Sequence, residues 1–299
     1  MVRAMAHPIL FDPVPDHLVG FDGSWKVHKA STAPPQGADD KLDNKAALDR
    51  AVHQIAKLQG KLYAHDRYAM LLIFQAMDAA GKDGTIRAVM SGINPQGCQV
   101  YAFKSPSHEE LDHDFLWRVQ RDLPERGRIG IFNRSHYEEV LMVRVNPKYL
   151  DAQKLPHRPK SLSDLWEQRY ESIAAAEKHW ARSGTVVLKF FLNVSQRAQH
   201  ERFLDRISDK DNHWKYDATD MTESRKWDPY MEAYQDALRA TSKPWAPWYS
   251  IPADDKPYMR RAVAEIVAGT LAQLPLAYPE VTDQTRAEMA ELRKELEAK

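Results

Sequence analysis

The segment FQAMDAAGKDGT, residues 74–85, joins an apolar run at residues 69–74 to a helical pattern that begins near residue 84. Its middle consists of small residues, so backbone N–H groups can come close to phosphate oxygens. The N-terminus of the following helix adds a partial positive charge, and Lys82 adds a full one. The segment therefore predicts a phosphate-binding loop at the end of a β-strand.

Two positions of this loop differ from the general phosphate-loop pattern G-x-x-x-x-G-K-[ST]. Ala76 stands at the first glycine, and Asp83 stands at the residue whose hydroxyl usually binds magnesium. A carboxylate must then take over, and Asp78 is a stronger candidate than Asp83 for orienting magnesium or an acceptor phosphate. The alternative role for Asp78 is a cap on the following helix. The other predicted phosphate contacts are Ala79, Ala80, Gly81, Asp83, Gly84 and Thr85.

Five apolar, β-branched or aromatic runs alternate with helical patterns along the chain. Such alternation indicates a parallel sheet covered by helices on both faces, so the predicted fold class is α/β with about five parallel strands. The predicted strands are 69–74, 98–103, 128–132, 185–194 and 248–251. The predicted helices are 43–63, 84–91, 108–122, 162–182, 195–207, 221–241 and 256–274.

The two ends of the chain differ from this pattern. Residues 1–45 are rich in proline and polar residues and lack a sustained period, so we predict an irregular N-terminal arm. Residues 281–299 predict a charged C-terminal helix that faces solvent or a partner. One domain remains at residues 46–280, with a lid at about residues 205–226.

The composition predicts a cytoplasmic protein without a membrane or nucleic-acid partner. No apolar run is long enough to cross a bilayer, the N-terminus lacks a secretory pattern, and the single cysteine, Cys98, cannot form an intramolecular disulfide. Lysine plus arginine and aspartate plus glutamate both number 42, so the formal net charge is zero. A highly negative substrate must therefore be attracted by a local basic cluster.

A second polar segment, IGIFNRSHYEE at residues 129–139, follows the third predicted strand. Ligands collect at the carboxyl ends of parallel strands, so Asn133 and Arg134 are expected beside the phosphate loop. Asn133 can orient a water but carries no charge, whereas Arg134 can clamp phosphate oxygens. Arg118 and Arg121 are predicted to add to the local basic excess. Arg126 and Arg128 lie in the same stretch, with a solvated helix face as their alternative.

A third segment, residues 202–226, carries Arg202, Lys210 and Lys215 among aromatic residues. Its place after the fourth strand, and a break in the helical pattern at residues 209–217, favour a mobile lid that closes over phosphates. Acidic residues are equally frequent there, so charge alone does not establish a lid.

Five ordered motifs resemble polyphosphate kinase family 2 between about residues 40 and 275: residues 77–86, 123–127, 132–138, 210–215 and 246–256. The resemblance implies a three-layer P-loop kinase fold, like that of thymidylate kinases, with a helical lid. It also implies phosphoryl transfer between inorganic polyphosphate and nucleotides with Mg²⁺ or Mn²⁺.

The family's phosphate-loop aspartate and lysine fall on Asp78 and Lys82, its second-motif arginine on Arg134, and a lid arginine on Arg202. Many members have aspartate where this chain has Asn133, and many ADP-selective members have asparagine where it has Glu138. These differences resemble the subgroup called class III, which implies that both AMP and ADP are acceptors. Asp78 and Glu138 are the predicted ligands of the metal or the acceptor.

The resulting hypothesis is a polyphosphate-dependent kinase that phosphorylates AMP, ADP and also guanine nucleotides reversibly, as a dimer or tetramer. Lys82, Arg134, Asn133, Asp78 and Glu138 are its predicted catalytic residues. One alternative is an ATP-dependent nucleoside or nucleotide kinase of the same fold. Another is a non-catalytic protein that binds polyphosphate or nucleic acid.

Overall fold

The predicted α/β fold with five parallel strands is confirmed by a computed structural model that describes residues 9–215 and 217–298. The strand order is β2-β3-β1-β4-β5, and every neighbouring pair is parallel. All residues of β1, β4 and β5 are buried, as expected for a sheet covered on both faces. The strands are β1 (Ala69–Gln75), β2 (Cys98–Ala102), β3 (Ile129–Asn133), β4 (Thr185–Asn193) and β5 (Trp248–Pro252).

Two groups of helices cover the sheet. In the first, α10 packs against both α1 and α2; in the second, α6 packs against β4 and α9. The longer helices are α1 (Lys41–His65), α2 (Lys82–Val89), α6 (Leu162–Arg182), α7 (Gln196–Ser208), α9 (Trp227–Thr241), α10 (Lys256–Gln273) and α11 (Asp283–Glu297). The shorter ones are α3 (His108–Leu111), α4 (Trp117–Arg121), α5 (Met142–Val145) and α8 (Ala218–Ser224).

Two long helices predicted from the sequence are each divided. The predicted helix 108–122 forms α3 and α4, because the Asp114 side chain accepts from the Leu116 amide at 2.9 Å and turns the chain. The predicted helix 221–241 forms α8 and α9. Pro229 lies in the first turn of α9, where its missing N–H costs no helical hydrogen bond, so a new helix begins there.

Short 3-10 helices connect several of these elements. The sequence analysis missed them because their side chains have no helical period. They are Val27–Lys29, Pro95–Gly97, His136–Glu139, Pro147–Gln153 and Lys210–Lys215.

The N-terminal arm lies along the edge strand β5. Val19 donates to the carbonyl of Trp248, Ser250 donates to the carbonyl of His17, both at 2.9 Å, and Leu18 forms an antiparallel bridge with Tyr249. The arm is irregular up to Asp40, whose side chain caps α1, so the first long helix begins slightly before the predicted boundary at residue 45.

The C-terminal helix α11 has no buried residue. Within residues 9–215 and 217–298, no helix is both long enough and apolar enough to cross a membrane.

Candidate active site

A cavity of about 1230 Å³ opens at the carboxyl ends of β1 and β3. The phosphate loop forms its floor, the segment after β3 forms one wall, and the segment after α7 forms another. Its lining includes Asp78, Ala79, Ala80, Gly81, Lys82, Asp83, Gly84, Asn133, Arg134, Glu138 and Arg202, all of them predicted site residues.

The phosphate loop has a strained, tightly curved backbone. Ala79 has a φ of 60° and Gly81 a φ of 103°, both in the left-handed region that L side chains rarely adopt. Lys82 is the first residue of α2, and its Nζ donates to the carbonyl of Ala76 at 2.8 Å. Burial lowers the pKa of Lys82, while the nearby carboxylate of Asp78 opposes this shift. The ammonium is therefore fixed inside the cavity.

Asp78 and Arg134 form an ion pair across the cavity, with 2.6 Å between the Asp78 Oδ1 and the Arg134 Nη2. Arg134 has a φ of 63°, and its amide donates to the carbonyl of Phe74 at 3.1 Å. These features turn the chain after β3 toward the phosphate loop. The N-cap of α2 is Gly81, so Asp78 pairs with an arginine instead of capping the helix.

Glu138 completes the charged cluster. Burial raises its pKa above the ordinary value, and the positive charges of Arg134 and Lys82 oppose that rise. In the amide orientation that satisfies both of its partners, Gln75 donates to the Glu138 Oε1 at 3.0 Å. Glu138 in turn raises the pKa of Arg134 above its ordinary value. The two cations and the two carboxylates thus form one coupled electrostatic unit.

The two unusual residues of the sequence contact each other. The Asn133 Nδ2 donates to the Asp83 Oδ1 at 2.6 Å. Most P-loop enzymes have a hydroxyl in the loop and an aspartate after the facing strand. Here the loop supplies the carboxylate, Asp83, and the last residue of β3 supplies the amide donor, Asn133. A hydrogen bond still joins the two segments, but the carboxylate belongs to the loop.

Arg202 lines the cavity and contacts the backbone on two sides of it. Its guanidinium donates to four backbone carbonyls: those of Ala79, Ala80, Ala253 and Asp254, at 3.3, 2.6, 2.5 and 3.1 Å. These carbonyls belong to the phosphate loop and to the end of β5. Arg202 therefore fixes the loop backbone, and its hydrogen-bonding groups face protein oxygens.

Of the five other predicted phosphate contacts, the four with described side chains do not line this cavity. Arg118 donates to the carbonyl of Lys104 at 2.9 Å, and Arg121 pairs with Asp122 at 3.0 Å; both line a separate cavity of about 260 Å³. The hydroxyl of Thr85 donates back to the Gly81 carbonyl at 3.0 Å. Lys210 is exposed, and the side chain of Lys215 lies outside what the structure describes.

The sequence analysis missed several lining residues. Lys104 and Ser105 follow β2, and Lys256 begins α10 just after β5. Because ligands collect at the carboxyl ends of parallel strands, the positions of these residues just after β2 and β5 could have indicated that they line the cavity. The wall formed by the end of α7 and the segment after it contributes mainly carboxylates, and Arg206 of α7 pairs there with Asp220 at 2.7 Å. The acidic lining residues of that wall are Asp205, Asp209, Asp217, Asp220 and Glu223.

A phosphate loop at the carboxyl end of a parallel sheet, with a lysine and an arginine converging on one cavity, defines a P-loop phosphotransferase. The chain belongs to the polyphosphate kinase 2 family, because the family model described as Polyphosphate kinase 2 (PPK2) matches residues 38–276. The protein is therefore a polyphosphate kinase.

Similar proteins agree with this family. An ADP-polyphosphate phosphotransferase from Rhodopseudomonas palustris is 52% identical over 83% of this chain and 86% of that protein. An AMP/ADP-polyphosphate phosphotransferase from Meiothermus ruber is 42% identical over 82% of this chain and 86% of that protein. The crystal structure of polyphosphate kinase 2 from Arthrobacter aurescens TC1 superposes with a TM-score of 0.85 at 34% identity, covering 95% of this chain and 98% of that one.

The position of Arg202 predicts a loss of activity in Arg202→Lys. A lysine ammonium has three donors and no planar fork, so it cannot reach carbonyls of both the phosphate loop and the β5 end. Because small displacements of a site are costly, we expect kcat/KM for phosphoryl transfer to fall roughly 10- to 100-fold.

The matched control is Arg197→Lys on the same helix, since the Arg197 side chain is 80% exposed and pairs with Glu201 on the same helix. Its kcat/KM should match that of the unaltered protein. Equal activity in both variants would show that Arg202 does not position the loop.

Proposed function

We propose that this protein transfers a terminal phosphoryl group of inorganic polyphosphate to AMP and to ADP, reversibly, and that guanine nucleotides are also acceptors. The convergence of Lys82, Arg134, Asp78 and Glu138 in one large cavity carries the proposal. The names of the two relatives from Rhodopseudomonas palustris and Meiothermus ruber, which specify ADP and AMP/ADP, support the choice of acceptors. The single cysteine, Cys98, supports action in the reducing cytoplasm.

The proposed reaction is direct in-line transfer to a terminal phosphate oxygen of the acceptor. In such a reaction the protein supplies mainly alignment and charge stabilisation. Lys82 and Arg134 neutralise the oxygens of the transferring group, and the strained loop at Ala79 brings backbone amides toward it. Each side chain is already held by a protein partner, so little reorganisation is needed when the phosphates bind.

We propose Mg²⁺, or Mn²⁺, as the metal, held by Asp78 and Glu138. Both carboxylates line the cavity, and carboxylate oxygens suit these ions. Magnesium is usually bound through one or two carboxylates together with substrate phosphates, and Asp78 and Glu138 supply two carboxylates. When bound, the metal would neutralise charge on the phosphate oxygens.

Donor choice separates this proposal from an ATP-dependent kinase. We expect the purified protein, incubated with Mg²⁺, long-chain polyphosphate and AMP, to form ADP and then ATP. Replacing polyphosphate with ATP should give slower phosphorylation of AMP. Chromatography of the nucleotides measures both outcomes, and polyphosphate binding without any nucleotide product would favour a non-catalytic protein.

Substitution of Lys82→Met should remove most of the activity while the buried stem of the side chain is retained. Loss of one charge stabiliser from a transition state commonly costs about 10²- to 10³-fold in kcat, and we expect a loss of that size. Lys57→Met on the exposed face of α1 is the control and should turn over normally. Steady-state rates with polyphosphate and ADP measure both, and a normal Lys82→Met rate would contradict the assignment.

We further propose that the protein forms a homo-oligomer, a dimer or tetramer, in which α11 pairs with the same helix of a second copy. Met289, Leu292 and Leu296 are exposed on one face of α11, and an isolated helix of this length is marginal in water. Their spacing is that of a coiled-coil seam. A parallel pair would place Glu288 opposite Arg293 of the second copy, whereas an antiparallel pair would place like charges together.

Substitution of Leu292→Lys should therefore weaken self-association, with roughly a 10-fold higher dissociation constant for the step that involves α11. Ala290→Lys, on the outer face of the same helix, should not change it. Sedimentation velocity over a concentration series measures both, and identical profiles would remove α11 from the interface.

A further inference from the structure

A lysine lies in the middle of the apolar strand β4. Lys189 stands between Leu188 and Phe190 and is fully buried. A buried ammonium is unfavourable unless its hydrogens find acceptors. Lys189 therefore needs a dedicated set of partners, and none of them can be water at the surface.

Three acceptors surround the Lys189 Nζ, and each comes from a different element. They are the Tyr137 Oη at 2.9 Å, the Glu177 Oε2 at 2.5 Å and the Thr241 carbonyl at 2.8 Å. The Tyr137 hydroxyl also donates to the Glu177 Oε1 at 2.8 Å. The lysine, the phenol and the carboxylate thus form a closed, buried network.

Both charges of this network persist at neutral pH. Burial lowers the pKa of Lys189 to about 8, which leaves the ammonium as the main form at pH 7. Burial alone would raise the pKa of Glu177, but Lys189 and His136 together lower it below its ordinary value. An ion pair buried in this way is weak evidence for stability, because apolar residues of similar volume often replace such pairs without loss. Hydrogen bonds within the network depend on direction and therefore fix the orientation of its side chains, which an apolar cluster could not do.

The network holds the segment that carries two cavity residues. Tyr137 directly precedes Glu138 and follows Arg134 by three residues, and its ring packs edge-on against Trp248 at 4.7 Å. On the far side of the same 3-10 helix, Arg169 donates to the Glu139 carbonyl at 2.8 Å. Helix α6 supplies both Glu177 and Arg169, so it fixes this short helix on either side of Glu138.

We propose that Tyr137, Glu177 and Lys189 are positioning residues for phosphoryl transfer, with the Tyr137 hydroxyl holding Arg134 and Glu138 at the angle the reaction needs. This inference rests on the proposed roles of Arg134 and Glu138. It goes beyond them because none of the three residues lines the cavity. The 3-10 helix at residues 136–139 connects Tyr137, which is fixed in the core, to Glu138, which lines the cavity.

Tyr137→Phe tests the proposal with the smallest change. It retains the ring and the direct contact between Lys189 and Glu177, and it removes only the hydroxyl. Since Arg134 and Glu138 act on the transferring group, we expect kcat to fall about 10-fold while KM for the nucleotide changes less than about 2-fold.

Tyr170→Phe is the matched control. Tyr170 is a buried tyrosine on α6 whose hydroxyl accepts from Arg144, outside residues 134–139, at 2.7 Å. This variant should lose a similar amount of thermal stability and keep its kcat. If the two variants show the same kcat, Tyr137 has only a structural role and the proposal is overturned.

A triple variant, Lys189→Met with Glu177→Leu and Tyr137→Phe, removes the polar side-chain groups of these three residues together. Neither charge of the ion pair is left without its partner, although the Thr241 carbonyl and the buried His136 each lose a neighbour. We therefore expect a folded protein with a somewhat lower midpoint of thermal unfolding. Its kcat should still fall about 10-fold or more. A normal kcat in this variant would also overturn the proposal.

Activity of the unaltered protein distinguishes failure of the proposed function from failure of the positioning role. If it shows no phosphoryl transfer from polyphosphate, the proposed function fails. If it turns over and the Tyr137→Phe and triple variants turn over equally well, only the positioning role fails.

Discussion

The ion pair between Asp78 and Arg134 is the contact on which the site depends. It joins the loop after β1 to the segment after β3, and these strands are hydrogen-bonded neighbours in the sheet. The pair forms because Arg134 adopts a left-handed backbone conformation that redirects the chain toward the loop. Holding a non-glycine residue in that conformation costs free energy, which the surrounding contacts must offset. Asp78, Arg134 and Glu138 all contribute to the charge environment of Lys82, with Asp78 the largest of the three.

The chain has no net charge, and its cavity is lined by carboxylates as well as by cations, which act in two ways. Lys82 and Arg134 present charge to the cavity, whereas Arg202 spends its hydrogen bonds on backbone carbonyls of the loop. Acidic side chains from the end of α7 and the segment after it line another part of the same cavity. A polyanion would therefore have to be attracted where Lys82 and Arg134 converge, between the phosphate loop and the β3 segment.

Asp83 and Asn133 each differ from the residue that the phosphate-loop pattern or the facing strand usually has. The hydrogen bond between the two segments is nevertheless present. Each residue alone weakens the match to the phosphate-loop pattern. Together they form a 2.6 Å hydrogen bond between the loop and the facing segment. The buried network at Lys189 adds a second layer behind it, where α6 holds the β3 segment from the side away from the cavity. The geometry of the phosphate site thus depends on polar contacts in the core.

The sequence alone determined the parallel α/β fold, the phosphate loop and the approach of Arg134 to it, because strand alternation and residue order fix which segments leave the same edge of the sheet. It could not assign Arg118, Arg121 and Arg202, whose guanidinium groups all looked available for phosphate. Only the tertiary structure showed that they serve protein carbonyls and a carboxylate. It also revealed the pairing of Lys189 with Glu177 and Tyr137, which lie far apart in sequence. The physical reason is that a polar group's role depends on which partners satisfy it, and long-range packing selects those partners.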